Sequence, residues 1–151
     1  MADAQIPEGL TADYENTRVR EALEALQTTP DYEHLAGFLA ALREGWLVVD
    51  VTGAQRKKAT RIRTIRSTKG QLLLPLFTSM DELRRAVPGP RAAEARGAIM
   101  PADEAFRLIG TDRFVAAQFD AGSAALVVLR KYLELVLSGD PVDAAAVEAL
   151  R

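Results

Sequence analysis

The chain has 151 residues, 48% of them hydrophobic, and a formal net charge of −2. That length suits one compact domain, spanning 1–151, which buries ~70% of the surface its unfolded chain exposes. With no cysteine, the chain alone supplies no disulfide, thiolate nucleophile, zinc–cysteine site or iron–sulfur centre. No apolar stretch is long enough to span a bilayer, and the acidic start MADAQIPEGLTADYEN lacks a basic segment followed by an apolar run, so a soluble, cytoplasmic protein is expected.

Residues 1–10 contain Pro7 and Gly9, show little periodicity and read as an arm. A helix follows, with Asn16 as its cap and Val19, Leu23 and Leu26 on one face, Ala22 beside them. Pro30 prevents its continuation, and Asp31 is placed to cap a second helix whose stripe is Leu35, Phe38, Leu39 and Leu42, ending at Gly45. Two short helices with a brief connection predict a helical hairpin.

Trp46–Val51 (WLVVDV) reads as a strand, and Thr60–Thr68 (TRIRTIRST) as a second. Ile62 and Ile65 stand three apart, which calls for a bulge or for cover on both faces. Lys69-Gly70 then turns the chain into a third strand, Gln71–Phe77, making an antiparallel hairpin. Pro75 has no ladder donor, so this strand is expected at an edge or with a bulge near its middle.

A helix should start at Ser79, through a capping box in which Ser79 accepts from the Glu82 N–H and the Glu82 carboxylate returns to the cap. Thr78 is an equally good cap by residue type. Pro88-Gly89-Pro90 breaks the chain; in Arg91–Met100 alanine favours a helical turn while Gly97 opposes a long one. Pro101 suits the first position of the next helix, which runs through Phe106, Leu108 and Ile109 to Gly110. Phe114–Phe119 is a strand and Asp120–Ser123 its turn. The stretch AALVVLRKYLELVL reads as a short strand followed by a helix, with one continuous helix as the alternative, and Asp140-Pro141 opens a last short helix. The order predicts an α+β domain: a mainly antiparallel sheet of four to five strands with an N-terminal helical hairpin and further helices packed on one side.

The succession Asn16-x-x-Val19-x-x-Ala22-Leu23, the helix end LREGWLVVDV, the run LLLPLFTSMDEL and the strand-turn-helix from Phe114 together resemble the SseB-type N-terminal domain. That family is named for a bacterial protein linked to enhanced serine sensitivity. Leu74-Pro75-Leu76-Phe77-Thr78-Ser79 is the most specific part, and the resemblance covers nearly the whole chain. The family pattern has an Asn-Pro-Gly-like turn after its penultimate strand, where this chain reads Gln118-Phe119-Asp120-Ala121-Gly122-Ser123. The resemblance implies the fold and a bacterial setting, and brings no catalytic residues with it.

No Walker loop, GxSxG or HExxH occurs. The sole histidine, His34, sits near the start of the second helix and fits a surface or interhelical role. Asp103, Glu104, Asp112 and Asp120 are oxygen-ligand types, but they match no ordered cation loop; helix N-terminal and turn placement accounts for them. No cofactor and no metal is expected, and no catalytic residue stands out.

Charge is distributed unevenly. Residues 1–50 carry ten acids against three arginines, while Arg56, Lys57, Lys58, Arg61, Arg63, Arg66 and Lys69 lie in a stretch without acids. Basic side chains blunt exposed strands, and the same residues form a candidate docking face for an acidic protein surface or, less consistently with a pI near 5.5, for nucleic acid. The leading expectation is a non-catalytic module that engages another protein through a sheet face or edge. A nucleic-acid-binding accessory domain and an enzyme of unrecognised type are the alternatives, and homo-oligomerisation is compatible with all three.

Overall fold

The computed structural model describes residues 14–50, 65–67, 69–87, 97–111 and 113–150. The first two helices each begin at a side chain that replaces a missing backbone acceptor. Asn16 Oδ1 accepts from the Val19 N–H at 3.0 Å to open α1 (Thr17–Thr28), and Asp31 Oδ1 accepts from the His34 N–H at 2.8 Å to open α2 (Tyr32–Arg43). The predicted stripes face inward: Val19, Leu23, Leu26, Phe38, Leu39 and Leu42 are buried, and Leu35 packs at the margin. The two helices pack as the expected hairpin.

Among the described residues six strands form one sheet: β1 (Trp46–Asp50), β2 (Ile65–Arg66), β3 (Leu72–Phe77), β4 (Gly97–Pro101), β5 (Phe114–Phe119) and β6 (Leu126–Leu129). The order is β4-β1-β3-β5-β6, with β2 also paired to β3. All described pairings are antiparallel except β3 with β5, so the α+β architecture with a mainly antiparallel sheet holds. The β2–β3 hairpin closes through Ser67–Gln71, with Gly70 at φ +79° and the Ser67 N–H donating to the Gln71 carbonyl at 2.8 Å. The first residues of the predicted second strand, 60–64 with Ile62, lie outside the described residues.

Pro75 does not mark an edge. β3 lies in the middle of the sheet, with Pro75 opposite Gln118 of β5, and the register shift falls between Leu72 and Leu73 rather than at mid-strand. On the other flank the described pairing with β2 stops at Leu73 and that with β1 begins at Leu76. A residue without a donor is tolerated at that interruption.

Two layers cover the sheet. Leu47 and Val49 of β1, Leu72, Leu74 and Leu76 of β3, Phe119 of β5 and Val128 of β6 join a large core under α1, α2 and three later helices: α4 (Ala102–Arg107), α5 (Arg130–Ser138) and α6 (Ala144–Glu148). Phe119 sits edge-on to both Phe38 and Phe106, at centroid distances of 5.2 and 6.5 Å. Arg43 ties α2 to α5 by donating to the Leu135 and Val136 carbonyls at 2.9–3.2 Å, where the C-terminal end of the helix favours a cation.

The predicted one-sided cover is incomplete, because α3 (Met80–Ala86) packs on the opposite face. Its Met80 and Leu83 meet Val48, Phe77 and Ile99. The reason is legible in β3: LLLPLF is buried at every position, and a strand apolar on both sides needs cover on both. Gly97 permits the close approach, since a Cβ there would lie 2.6–2.9 Å from Val48, Met80 and Leu83 side-chain atoms.

Of the ambiguous stretch Arg91–Met100, residues 97–100 belong to β4, whose Pro101 ends the strand, and 91–96 lie outside the described residues; the helix itself starts at Ala102 and continues as a 3-10 turn over Leu108–Thr111. The stretch after Ser123 is strand then helix, β6 then α5. Ala125, at φ +51°, interrupts any helix begun earlier. The last helix begins at Ala144 rather than at Asp140-Pro141, because Asp143 provides the cap, accepting from the Ala146 N–H at 2.9 Å. No helix among the described residues is long and apolar enough to cross a membrane.

Candidate functional site

Of the seven basic residues, Arg56, Lys57, Lys58, Arg61 and Arg63 lie outside the described residues. Arg66 ends β2 and Lys69 lies in the exposed turn after it, where Arg66 Nη1 donates to the Gly70 carbonyl at 2.8 Å and the Lys69 N–H to Ser67 Oγ at 3.2 Å. His34 Nδ1 lies 2.7 Å from Asp31 Oδ1, within the same helix start. The bonds that Asp31 accepts from the His34 backbone and ring hold its carboxyl below the usual range. Asp103 pairs with Arg107 on α4 while Asp120 sits with Arg20 and Thr78. Asp112 lies outside the described residues, among which no set of three or more acidic or histidine side chains gathers into a metal site.

The parallel pairing of β3 and β5 brings their C-terminal ends side by side, where α3 also begins, and an ionic cluster forms there. Asp120 is fully buried at φ +53°. Its Oδ1 accepts from the Thr78 N–H at 2.8 Å, and its Oδ2 accepts from Thr78 Oγ1 at 2.8 Å and Arg20 Nη1 at 2.7 Å. Arg20 also donates to Glu24 at 2.7 Å and reaches Glu82 and Ser123 at 3.3 Å, while Ser123 Oγ donates to Glu82 Oε1 at 2.7 Å. Burial opposes the Arg20 charge, but the bonds to Glu24 and Asp120 and the charges of Asp120 and Glu82 more than offset it, so its pKa is raised.

This cluster corrects the predicted capping box. Ser79 Oγ does accept from the Glu82 N–H, at 3.0 Å. The Glu82 carboxylate, however, bonds Ser123, Arg20 and, at 3.4 Å, Arg85, because guanidinium partners outcompete a neutral backbone donor. Thr78 is not the cap; its hydroxyl serves Asp120. Gly122 lets the turn lie on the end of α3, since a Cβ there would come 2.9–3.0 Å from the Arg85 and Ala86 backbone. No buried side-chain polar atom among the described residues lacks a partner. The cluster therefore ties α1, α3 and the β5–β6 turn together rather than presenting a reactive group.

The other feature is a groove of about 900 Å³ between the α1–α2 corner and β6, within the ~300–1,000 Å³ range of ligand clefts. Leu26, Gln27, Pro30, Asp31, Tyr32 and Leu35 form one wall; Leu126, Val127, Val128, Leu129 and Tyr132 form the other. Successive strand residues point to opposite faces, so a groove touching all four residues of β6 runs along the strand's edge rather than over one face. Gln27 Nε2, on the first wall, donates to the Ala124 carbonyl ahead of β6 at 2.9 Å. Val127 and Leu129 remain 47% and 48% exposed, which gives an apolar border to β6, paired on one side to β5 and last in the described sheet order.

Sequence patterning missed the groove: β6 looked like any short β-branched run, and Leu26 and Leu35 like ordinary stripe residues. The usable signal was the absence of charge from LVVL, but only the strand order shows that this run lies at an edge. Arg20 and Asp120 were missed as partners because they stand 100 positions apart.

The family model described as SseB protein N-terminal domain matches residues 19–134. The match runs from α1 into α5 and includes every described strand, the ionic cluster and both walls of the groove. No curated protein and no solved structure matches the chain.

Proposed function

Because the chain belongs to the SseB N-terminal domain family, we propose that it is a non-catalytic interaction module of the bacterial cytoplasm that takes up an extended protein segment as an added strand beside β6. One observation carries this reading: the groove lies beside the strand that ends the described sheet order, with no further partner among the described residues, and touches residues from both faces of that strand. Strand addition uses main-chain hydrogen bonds for affinity and alternating side-chain pockets for selection. Here those pockets are apolar, with Tyr32, Leu35 and Tyr132 opposite the strand. The charged groups of the ionic cluster engage one another, so among the described residues the groove is the feature better fitted for a guest.

The test is capture from native bacterial lysate, comparing the wild-type protein with Val127→Lys/Leu129→Lys and with Arg66→Glu/Lys69→Glu. Lysine on an edge blocks strand pairing, and both positions in the first variant are exposed enough to accept it. The expected result is a partner set retained by the second variant and lost from the first, whose circular dichroism stays wild-type. Loss from the basic-turn variant instead, or no partner that depends on β6, overturns the proposal.

A further inference from the structure

We infer that a guest of the β6 edge is β6 of a second copy of this chain, paired antiparallel about a two-fold axis through Val128. The inference rests on the reading of β6 as a docking edge and supplies its occupant.

The two edges of the sheet differ. β4 ends in Pro101, and its Gly97 lies under Met80 and Leu83 of α3, so it carries the kind of interruption that protects an edge. β6 reads Leu-Val-Val-Leu, with no charge, proline or glycine. The exposed large hydrophobics among the described residues are Val115, Val127 and Leu129. All three belong to the β5–β6 end of the sheet, since Leu129 pairs with Ala116, next to Val115.

Symmetry then selects the register. Two antiparallel strands related by a two-fold axis share the same faces, and directly opposed residues point to one face. A β6 residue can therefore oppose only its own counterpart or one an even number of positions away. Pairing centred on Val127 sets Leu129 against Ala125 of the second copy, which is outside the strand at φ +51°. Pairing centred on Val128 sets Val127 against Leu129 and Leu129 against Val127, so every exposed aliphatic side chain of β6 meets another.

Charge does not oppose this arrangement. Arg130, the first charged residue beyond β6, is bound within its own copy to Glu134 at 3.0 Å and to the Phe114 carbonyl at 3.2 Å. The open groove beside the edge provides the lateral space that an added strand occupies. Strands of four residues make an interface smaller than the ~1,200–2,000 Å² of standard stable complexes, so the dimer forms with rising concentration and is not obligate.

Sedimentation velocity from micromolar to millimolar protein is the first test. The wild type is expected to move from monomer to dimer, and Val127→Lys/Leu129→Lys to stay monomeric. Because the chain has no cysteine, an equimolar mixture of the single variants Val127→Cys and Leu129→Cys, one of them isotope-labelled, provides a register test. Mild oxidation is expected to give mainly the mixed covalent dimer joined from the cysteine at 127 of one copy to the cysteine at 129 of the other, read by intact mass. A wild type that stays monomeric at millimolar concentration, a dimer that survives the lysine substitutions, or links dominated by 127–127 pairs each overturns the inference. If the protein stays monomeric while its lysate partners still depend on Val127 and Leu129, the second-copy inference fails and the docking function stands.

Discussion

The two faces of the sheet are held by different means. Under α1, α2, α4, α5 and α6 the contacts are overwhelmingly apolar, with Leu23, Phe38, Leu39, Leu42, Leu74, Phe106 and Phe119 all fully buried or nearly so. Under α3 there is a small cluster of Val48, Phe77, Met80, Leu83, Val87 and Ile99, and the helix is seven residues long. A helix that short has little stability of its own. It is fixed by its Ser79 cap, by Glu82 within the ionic cluster and by the turn that lies on its last residues. A layer too small to be held by burial alone is held by polar ties.

The largest expected effect separates the two layers. Leu39→Ala should cost the upper part of the ~2–5 kcal/mol seen for such truncations, because Leu39 is enclosed in the large core. Leu83→Ala should cost the lower part, since a marginal cluster relaxes more easily around the missing atoms. Denaturant midpoints at unchanged m-value give both numbers, and equal losses would break the comparison. Asp120→Ala comes next, at about 3 kcal/mol, the low end for removing one partner of a buried ion pair, because Arg20 keeps Glu24 and Glu82. A loss below ~1 kcal/mol, the scale of one neutral hydrogen bond, would mean that the cluster is not what secures α3.

The smallest pair sharpens the account of the α3 start. Cap chemistry alone ranks Ser79→Ala above Thr78→Ala. The structure reverses that order. Ser79→Ala should cost ~1 kcal/mol as a lost cap, whereas the buried Thr78 hydroxyl donates to a carboxylate, a bond of ~1.5–3 kcal/mol. Thr78→Val, which keeps the shape, measures that bond directly. A Thr78→Val cost below that of Ser79→Ala would return Thr78 to a peripheral role.

Much of the helical layer was legible in residue order. Asn16, Asp31 and Ser79 cap the helices they were expected to cap, and the stripes of α1 and α2 face the core. These are contacts within one turn, set by backbone geometry and side-chain type with no reference to the rest of the chain. Asp143 was missed as a cap because Asp140-Pro141, three residues earlier, carries the same local signal.

By itself the sequence determined the starts of the first three helices, the apolar stripes, most strand positions and, through LLLPLFTSMDEL, the family. Only the tertiary structure decided that β3 and β5 run parallel in the middle of the sheet, that α3 crosses to the far face, and that β6 is an edge beside a groove. The physical reason is the range of the interactions. A cap or a stripe is selected among neighbours three or four positions away, whereas Arg20 reaches Glu82 across 62 positions and Asp120 across 100. Each carboxylate in the chain is chemically eligible for that arginine; its helical neighbour Glu24 is in reach by local geometry, and only the packed sheet adds these two.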